Sequence, residues 1–180
     1  MFTNIIGCYL IVAQLSPAVI NTTDLINTVK TCAVVAAEAK YQDNEDIMSL
    51  HLAVAWQESR FTMDAKGKWL CTGKGKLYFV KKKPKCSEGT LTRAMGPMQI
   101  LPVYHCKGKA KCNYVKESVS LLSRLTTQYG IAKGLEVYAG GYSGSSASKK
   151  YARMTLYRAT KIDKILDFVY DLRNLFSVPT

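Results

Sequence analysis

"IMSLHLAVAWQESRF", residues 47–61, is an almost wholly apolar run that ends on one acid, Glu58, followed by Ser59, Arg60 and Phe61. Its spacing predicts a helix: at about 100° per residue, Val54 and Glu58 fall within about 20° of Ile47, with Leu50 and His51 on the flanks. The polar "QDNED" before it offers Asp43 or Asn44 as a cap. Glu58 therefore continues a buried stripe. A carboxyl at the end of an apolar face is partly desolvated, which raises its pKa and keeps it protonated nearer neutral pH, as a general acid requires. The competing reading is a Glu that turns to solvent in the last turn or pairs with Arg60.

Upstream, "DLINTVKTCAVVAAEAKY" places Ile26, Val29, Ala33, Ala36 and Ala37 at helical spacing, with Thr22 or Thr23 as cap. Downstream, residues 66–85 hold eight lysines and no acid, glycines at 67, 73 and 75, an apolar "LYFV" at 77–80, and Pro84. Gly-rich turns and a short β-prone run predict a β-hairpin or stapled loop, either a cationic lip for an anionic polymer or a solvated insertion. "GKGK" lacks the spacing of a phosphate loop. "ESVSLLSRLTTQYG" predicts a helix with Val119, Leu122, Leu125 and Tyr129 in phase and Gly130 as its stop. Ile162, Ile165, Leu166, Val169, Leu172 and Phe176 fall in register in the last segment, which should be one long helix or two abutting ones. The whole reads as mainly α, with no internal repeat and no interdomain linker.

A chain of 180 residues is long enough for one domain with its own core. The net charge of +12 implies a polyanionic partner: nucleic acid, an anionic membrane surface, or the bacterial envelope. Nucleic acid ranks last, because the lysines cluster in one insertion and no binding motif accompanies them. Of the six cysteines, Cys71 with Cys86 and Cys106 with Cys112 flank polar, Lys-rich loops. They lack the spacing and partner histidines of a zinc site and read as disulfides, hence as a hint of an oxidising compartment. Cys8 and Cys32 are either a third bridge or buried thiols. The apolar N-terminus is too short and interrupted for a membrane span. It is either an export signal, although no Lys or Arg precedes the apolar core, or a helix packed on the domain. "IIGC" resembles a lipoprotein box, but only seven residues precede Cys8.

Three segments, in order, carry a family resemblance: "QESRF" at 57–61, "AMGPMQILP" at 94–102, and "VYAGGYSGSS" at 137–146 with "YARMTLYR" at 151–158. Together they resemble the blocks of the lytic transglycosylase (SLT-type) family, related to goose-type lysozyme, over about residues 42–160. The resemblance implies a lysozyme-like helical domain over 22–180, with the Cys-flanked insertion at about 64–92 and a C-terminal helix at about 160–176, after an apolar N-terminal segment 1–21. It implies that Glu58 protonates the oxygen of the β-1,4 bond between N-acetylmuramic acid and N-acetylglucosamine. Glu58 then draws the proton from the muramoyl C6 hydroxyl, which attacks C1 to give a 1,6-anhydro end. Such a route needs one acid/base group instead of two, and Asp64 is the nearest second carboxylate. Ser59, Met98, Gln99, Tyr138 and Tyr151 match positions that bind substrate or approach the acid. Each also has a plain structural reading: Met98 as core filler, the tyrosines as packed aromatics, Ser59 as a helix-end polar residue.

The resemblance implies no metal or organic cofactor. Its partners are peptidoglycan glycan strands, and with them an envelope-spanning machine or virion components; the catalytic unit would be a monomer in the cell envelope or carried in a phage particle. Two departures stand out: Ala139 where the family has Asn, and Pro97 where it usually has Leu. A hydrolytic, lysozyme-like outcome is the nearest alternative. A non-catalytic cationic wall-binding protein on the same fold, favoured by Ala139, is the alternative from another class.

Overall fold

The computed structural model describes residues 2–17, 24–107, 111–140 and 144–176. Helices α1 (Phe2–Leu15) and α2 (Leu25–Tyr41) pack together and are joined by a Cys8–Cys32 disulfide. The two cysteines left unassigned by the sequence are thus a third bridge. α1 buries Cys8, Ile11 and Val12. Thr22 and Thr23, expected as caps for α2, lie outside the described residues.

α2 buries Thr28, Val29, Thr31, Cys32, Val35, Ala36 and Ala39. Val29 and Ala36 of the expected stripe are thus inside, whereas Ala33 is half-buried and Ala37 and Ile26, the latter 64% exposed, face out. The helix is apolar on more than one side, so periodicity does not fix its rotation, and the bond at Cys32 does. An apolar groove of about 780 Å3 remains between α1 and α2.

A 3-10 turn at Glu45–Ile47 leads into α3 (Met48–Ser59). Neither Asp43 nor Asn44 caps α3. The 3-10 turn intervenes, and the Asn44 carbonyl accepts the Ile47 N–H at 3.3 Å instead. Every residue of α3 from Ser49 to Trp56 is buried. The helix is covered on all sides, not along one stripe, because α2 and the last helix both pack against it.

The insertion is more than one hairpin. β1 (Lys66–Cys71) pairs antiparallel with β4 (Leu91–Met95), and inside them β2 (Leu77–Val80) pairs with β3 (Lys83–Cys86). The strands run past the expected limit at 92 into the "AM" of the second block. The break between the ribbons is tight: a Cβ on Gly75 would collide with the Glu88 carbonyl. Lys81 and Lys82 both take positive φ in the β2–β3 turn, a geometry usually given to Asn-Gly. The Cys71–Cys86 disulfide ties the two ribbons together, and all four residues of β2 are exposed.

A short α4 (Pro102–His105) is followed by the Cys106–Cys112 disulfide. Next come α5 (Tyr114–Tyr129), capped by Asn113 and stopped at Gly130, and α6 (Ile131–Gly140). α7 (Ser146–Phe176) is one continuous helix that absorbs the expected 160–176 segment and packs on α1, α3 and α6. The chain is mainly helical with a small antiparallel β region and three disulfides. No helix among the described residues is long and apolar enough to cross a membrane.

Candidate active site

The end of α3 is locked without glycine. Arg60 and Phe61 both adopt left-handed backbone, at φ 57° and 58°, a conformation that costs an L-residue about 1–2 kcal/mol. Several contacts offset that cost. The Arg60 N–H donates to the Trp56 carbonyl at 3.0 Å, and the Phe61 ring, 1% exposed, packs 5.7 Å from the Trp56 ring. The Ser59 hydroxyl donates to the Ala55 carbonyl at 3.2 Å and accepts the Thr62 N–H at 3.0 Å. The Thr62 hydroxyl donates back to the Ser59 carbonyl at 2.7 Å. "ESRFT" is thus a rigid turn that fixes the last helical residues, Glu58 among them. Ser59 is occupied in that turn.

Glu58 is half-buried, and burial pushes its pKa above the usual carboxylate range. The Tyr151 hydroxyl of α7 acts on it in the opposite sense. That hydroxyl is buried, yet no acceptor among the described residues meets it at full hydrogen-bonding geometry. Its own pKa is driven up by burial, then by the charge of Glu58. Tyr138 of α6 also senses the Glu58 charge, after burial, and its pKa is raised as well. The Tyr138 hydroxyl donates to the Met98 carbonyl at 2.6 Å. Glu58, Tyr138 and Tyr151 therefore come together from three helices, with the "GPMQ" turn behind Tyr138.

That turn is closed on itself. Met95 and Ile100 exchange backbone hydrogen bonds of 2.9 and 3.2 Å, and the Gln99 N–H donates to the Gly96 carbonyl at 3.2 Å, with Pro97 at the second turn position. Gly96 is required: it has φ 79°, and a Cβ there would lie 2.6 Å from the Cβ of Tyr114. The Met98 side chain is fully buried in the core, so its contribution near the site is its carbonyl. The Gln99 amide donates to the Gly96 carbonyl at 2.8 Å, and its oxygen rests against Gly67 of β1. Gln99 thus joins the second block to the insertion.

Asp64 is exposed, and no second carboxylate acts on Glu58 among the described residues. Ala139 is exposed beside Tyr138, and Gly141, Tyr142 and Ser143 of the third block lie outside the described residues. No group of three His, Cys, Asp or Glu side chains that could hold a metal ion occurs among the described residues.

Sequence reading passed over Thr155 and Arg158. Tyr151, Thr155 and Arg158 are spaced four and seven apart on α7, so they share a face. Thr155 is fully buried against Tyr151, and Arg158 feels the charges of both Arg60 and Tyr151. The helical spacing was the available signal. Comparison of the chain with family models, with curated proteins and with solved structures finds no match in any of the three.

Proposed function

We propose that the chain is a peptidoglycan lytic transglycosylase on a lysozyme-like, goose-type/SLT helical domain, with Glu58 as its sole general acid/base. The observation that carries this reading is the Glu58 carboxyl, fixed at the end of a fully covered helix, raised in pKa by burial and flanked by two tyrosines from other helices. The order of the three sequence blocks supports it independently.

In this reading the protonated Glu58 donates to the glycosidic oxygen as the bond to C1 breaks. The resulting carboxylate then takes the proton of the muramoyl C6 hydroxyl as that oxygen closes on C1. The two roles are successive, so one carboxyl serves both. Tyr151 suits the ionised stage, because no acceptor among the described residues holds its hydroxyl at full hydrogen-bonding geometry and it can donate to the new carboxylate. Tyr138 is a positioning residue that fixes the "GPMQ" turn through the Met98 carbonyl. Gln99 and Ser59 hold the loops that border the acid. The lysine-rich ribbons form a cationic lip for an anionic wall, and three disulfides suit an envelope or virion setting.

Replacing Glu58 with Gln should abolish lysis of purified sacculi while leaving the circular dichroism spectrum unchanged; lysis by the variant would sink the assignment. Mass spectrometry of the products decides the outcome of the reaction: 1,6-anhydro ends mark a transglycosylase, reducing ends a hydrolase. The exposed Ala139 keeps the wall-binding reading in play. Retention on sacculi with no muropeptide release by the native protein would favour that reading.

A further inference from the structure

A recess of about 490 Å3 opens between the end of α1, the end of α3 and the middle of α7. It gathers Arg60, Arg158 and Lys161 with the aromatic rings of Trp56 and Tyr157, and no carboxylate among the described residues lines it. The Arg60 guanidinium lies 4.6 Å from the centre of the Trp56 ring, and the Lys161 ammonium 4.6 Å from that of Tyr157. None of the three cations is paired with an acid among the described residues. Arg158 donates to the Met154 carbonyl at 3.2 Å, which uses one of its five N–H groups.

Like charges drawn into one concavity repel, and burial adds to the cost. Both effects press on Arg158, burial first and then Arg60. A fold normally relieves such a cluster with a carboxylate. The arrangement here leaves that place to a ligand. Because cations already cover the faces of Trp56 and Tyr157, the recess does not offer a stacking platform for a sugar or a base. A small planar anion that two guanidinium forks can grip fits better.

Position narrows the ligand further. Arg158 lies seven residues beyond Tyr151 on the same face of α7, about 10 Å along the helix. Tyr151 acts on both Glu58 and Arg158. We propose that this recess binds a carboxylate of the peptide substituent carried by the glycan strand, holding that strand in register while Glu58 works on its backbone. The inference rests on the transglycosylase reading above.

Two measurements separate the inference from that reading. The first is calorimetric binding to the Glu58→Gln protein, with the soluble stem tripeptide of the wall, its fully amidated form, and inorganic phosphate as probes. The tripeptide should bind, the amidated form should not, and Arg158→Gln with Lys161→Gln should weaken the tripeptide about tenfold or more. Absence of tripeptide binding, equal binding of the amidated form, or tighter binding of phosphate than of tripeptide would overturn the inference. Arg158 and Lys161 are only partly buried, so these variants should keep the native thermal midpoint. Arg158→Lys, which keeps charge but loses the fork, should fall between the two.

The second measurement is KM on peptide-bearing strands and on strands stripped by an amidase. The native enzyme should show a lower KM on the former, and the double variant should erase that difference. Cleavage of both substrates with no difference to erase overturns the inference and leaves the transglycosylase standing. Cleavage of neither, with tripeptide binding intact, overturns the transglycosylase and leaves the carboxylate site standing.

Discussion

Burial at the end of α3 makes the folded protein hold the Glu58 proton more tightly than the unfolded chain does. The contribution of Glu58 to stability is therefore full below the usual carboxylate range and is lost as pH rises through that range towards the folded pKa. Glu58→Gln, neutral at every pH, should unfold at a higher temperature than the native protein at pH 7, and the gap should close near pH 4. Calorimetric scans at the two pH values test this; a gap that is constant with pH would show that Glu58 is not desolvated. Tyr138 gives a second test. Tyr138→Phe removes the donor to the Met98 carbonyl and should cost about 1–3 kcal/mol in denaturant unfolding, and a loss near zero would mean that water replaces the bond. The sequence pointed to Glu58, Tyr138 and Tyr151 through their blocks. It did not show that Met98 contributes its carbonyl, or that Ser59 is spent on the turn, because residue type says nothing of which atom faces the site.

Among the elements, α3 combines the most legible feature with the least. Its existence followed from the helical spacing of an almost wholly apolar run, but its burial on every side did not, since one stripe of period 3.6 looks the same whether the opposite face is wet or covered. His51 is the consequence. Fully buried on α3, it has its Nε2 at 3.2 Å from the Ser123 hydroxyl of α5, while its Nδ1 has no partner among the described residues. Burial lowers its pKa to about 4, so the native state holds it neutral. As pH falls from about 6.5 towards 4, the unfolded chain binds a proton that the native state refuses, which removes up to about 3 kcal/mol. Urea unfolding at pH 7 and at pH 4.5 should show this loss, and His51→Gln, which keeps a polar end for Ser123 but cannot titrate, should flatten it. An unchanged slope in the variant would place the acid sensitivity elsewhere. The insertion was legible as β structure from its glycines and "LYFV". Its division into two nested ribbons was not, because that depends on how closely Gly75 approaches Glu88 across the ribbon.

For the molecule as a whole, the three disulfides tie down different layers. Cys71–Cys86 and Cys106–Cys112 each close a local loop, and their place at the two ends of a polar, lysine-rich stretch marked them in the sequence. Cys8–Cys32 joins two helices, and nothing in the sequence gives the rotation of α2 that makes the partners face each other. The location of each bond predicts what it supports. Cys8–Cys32 lies within the core and closes a separation of 24 residues, so replacing both cysteines with Ala should cost about 3 kcal/mol by loop closure alone. It should also loosen α1, which supplies Gln14 and Leu15 to the cationic recess and leads into Ser16 on its wall. Cys71–Cys86 sits under a strand whose four residues are all exposed, outside the helical core. Its double Ala variant should leave the main thermal transition within a few degrees of native, since about 1 kcal/mol moves a domain of this size by about 2–4 °C, while limited proteolysis finds new cuts between 72 and 88. Scanning calorimetry of the two variants side by side decides the matter. If both lower the main transition equally, the ribbons belong to the same cooperative unit as the helices, and the insertion is part of the frame that fixes Gln99 against β1.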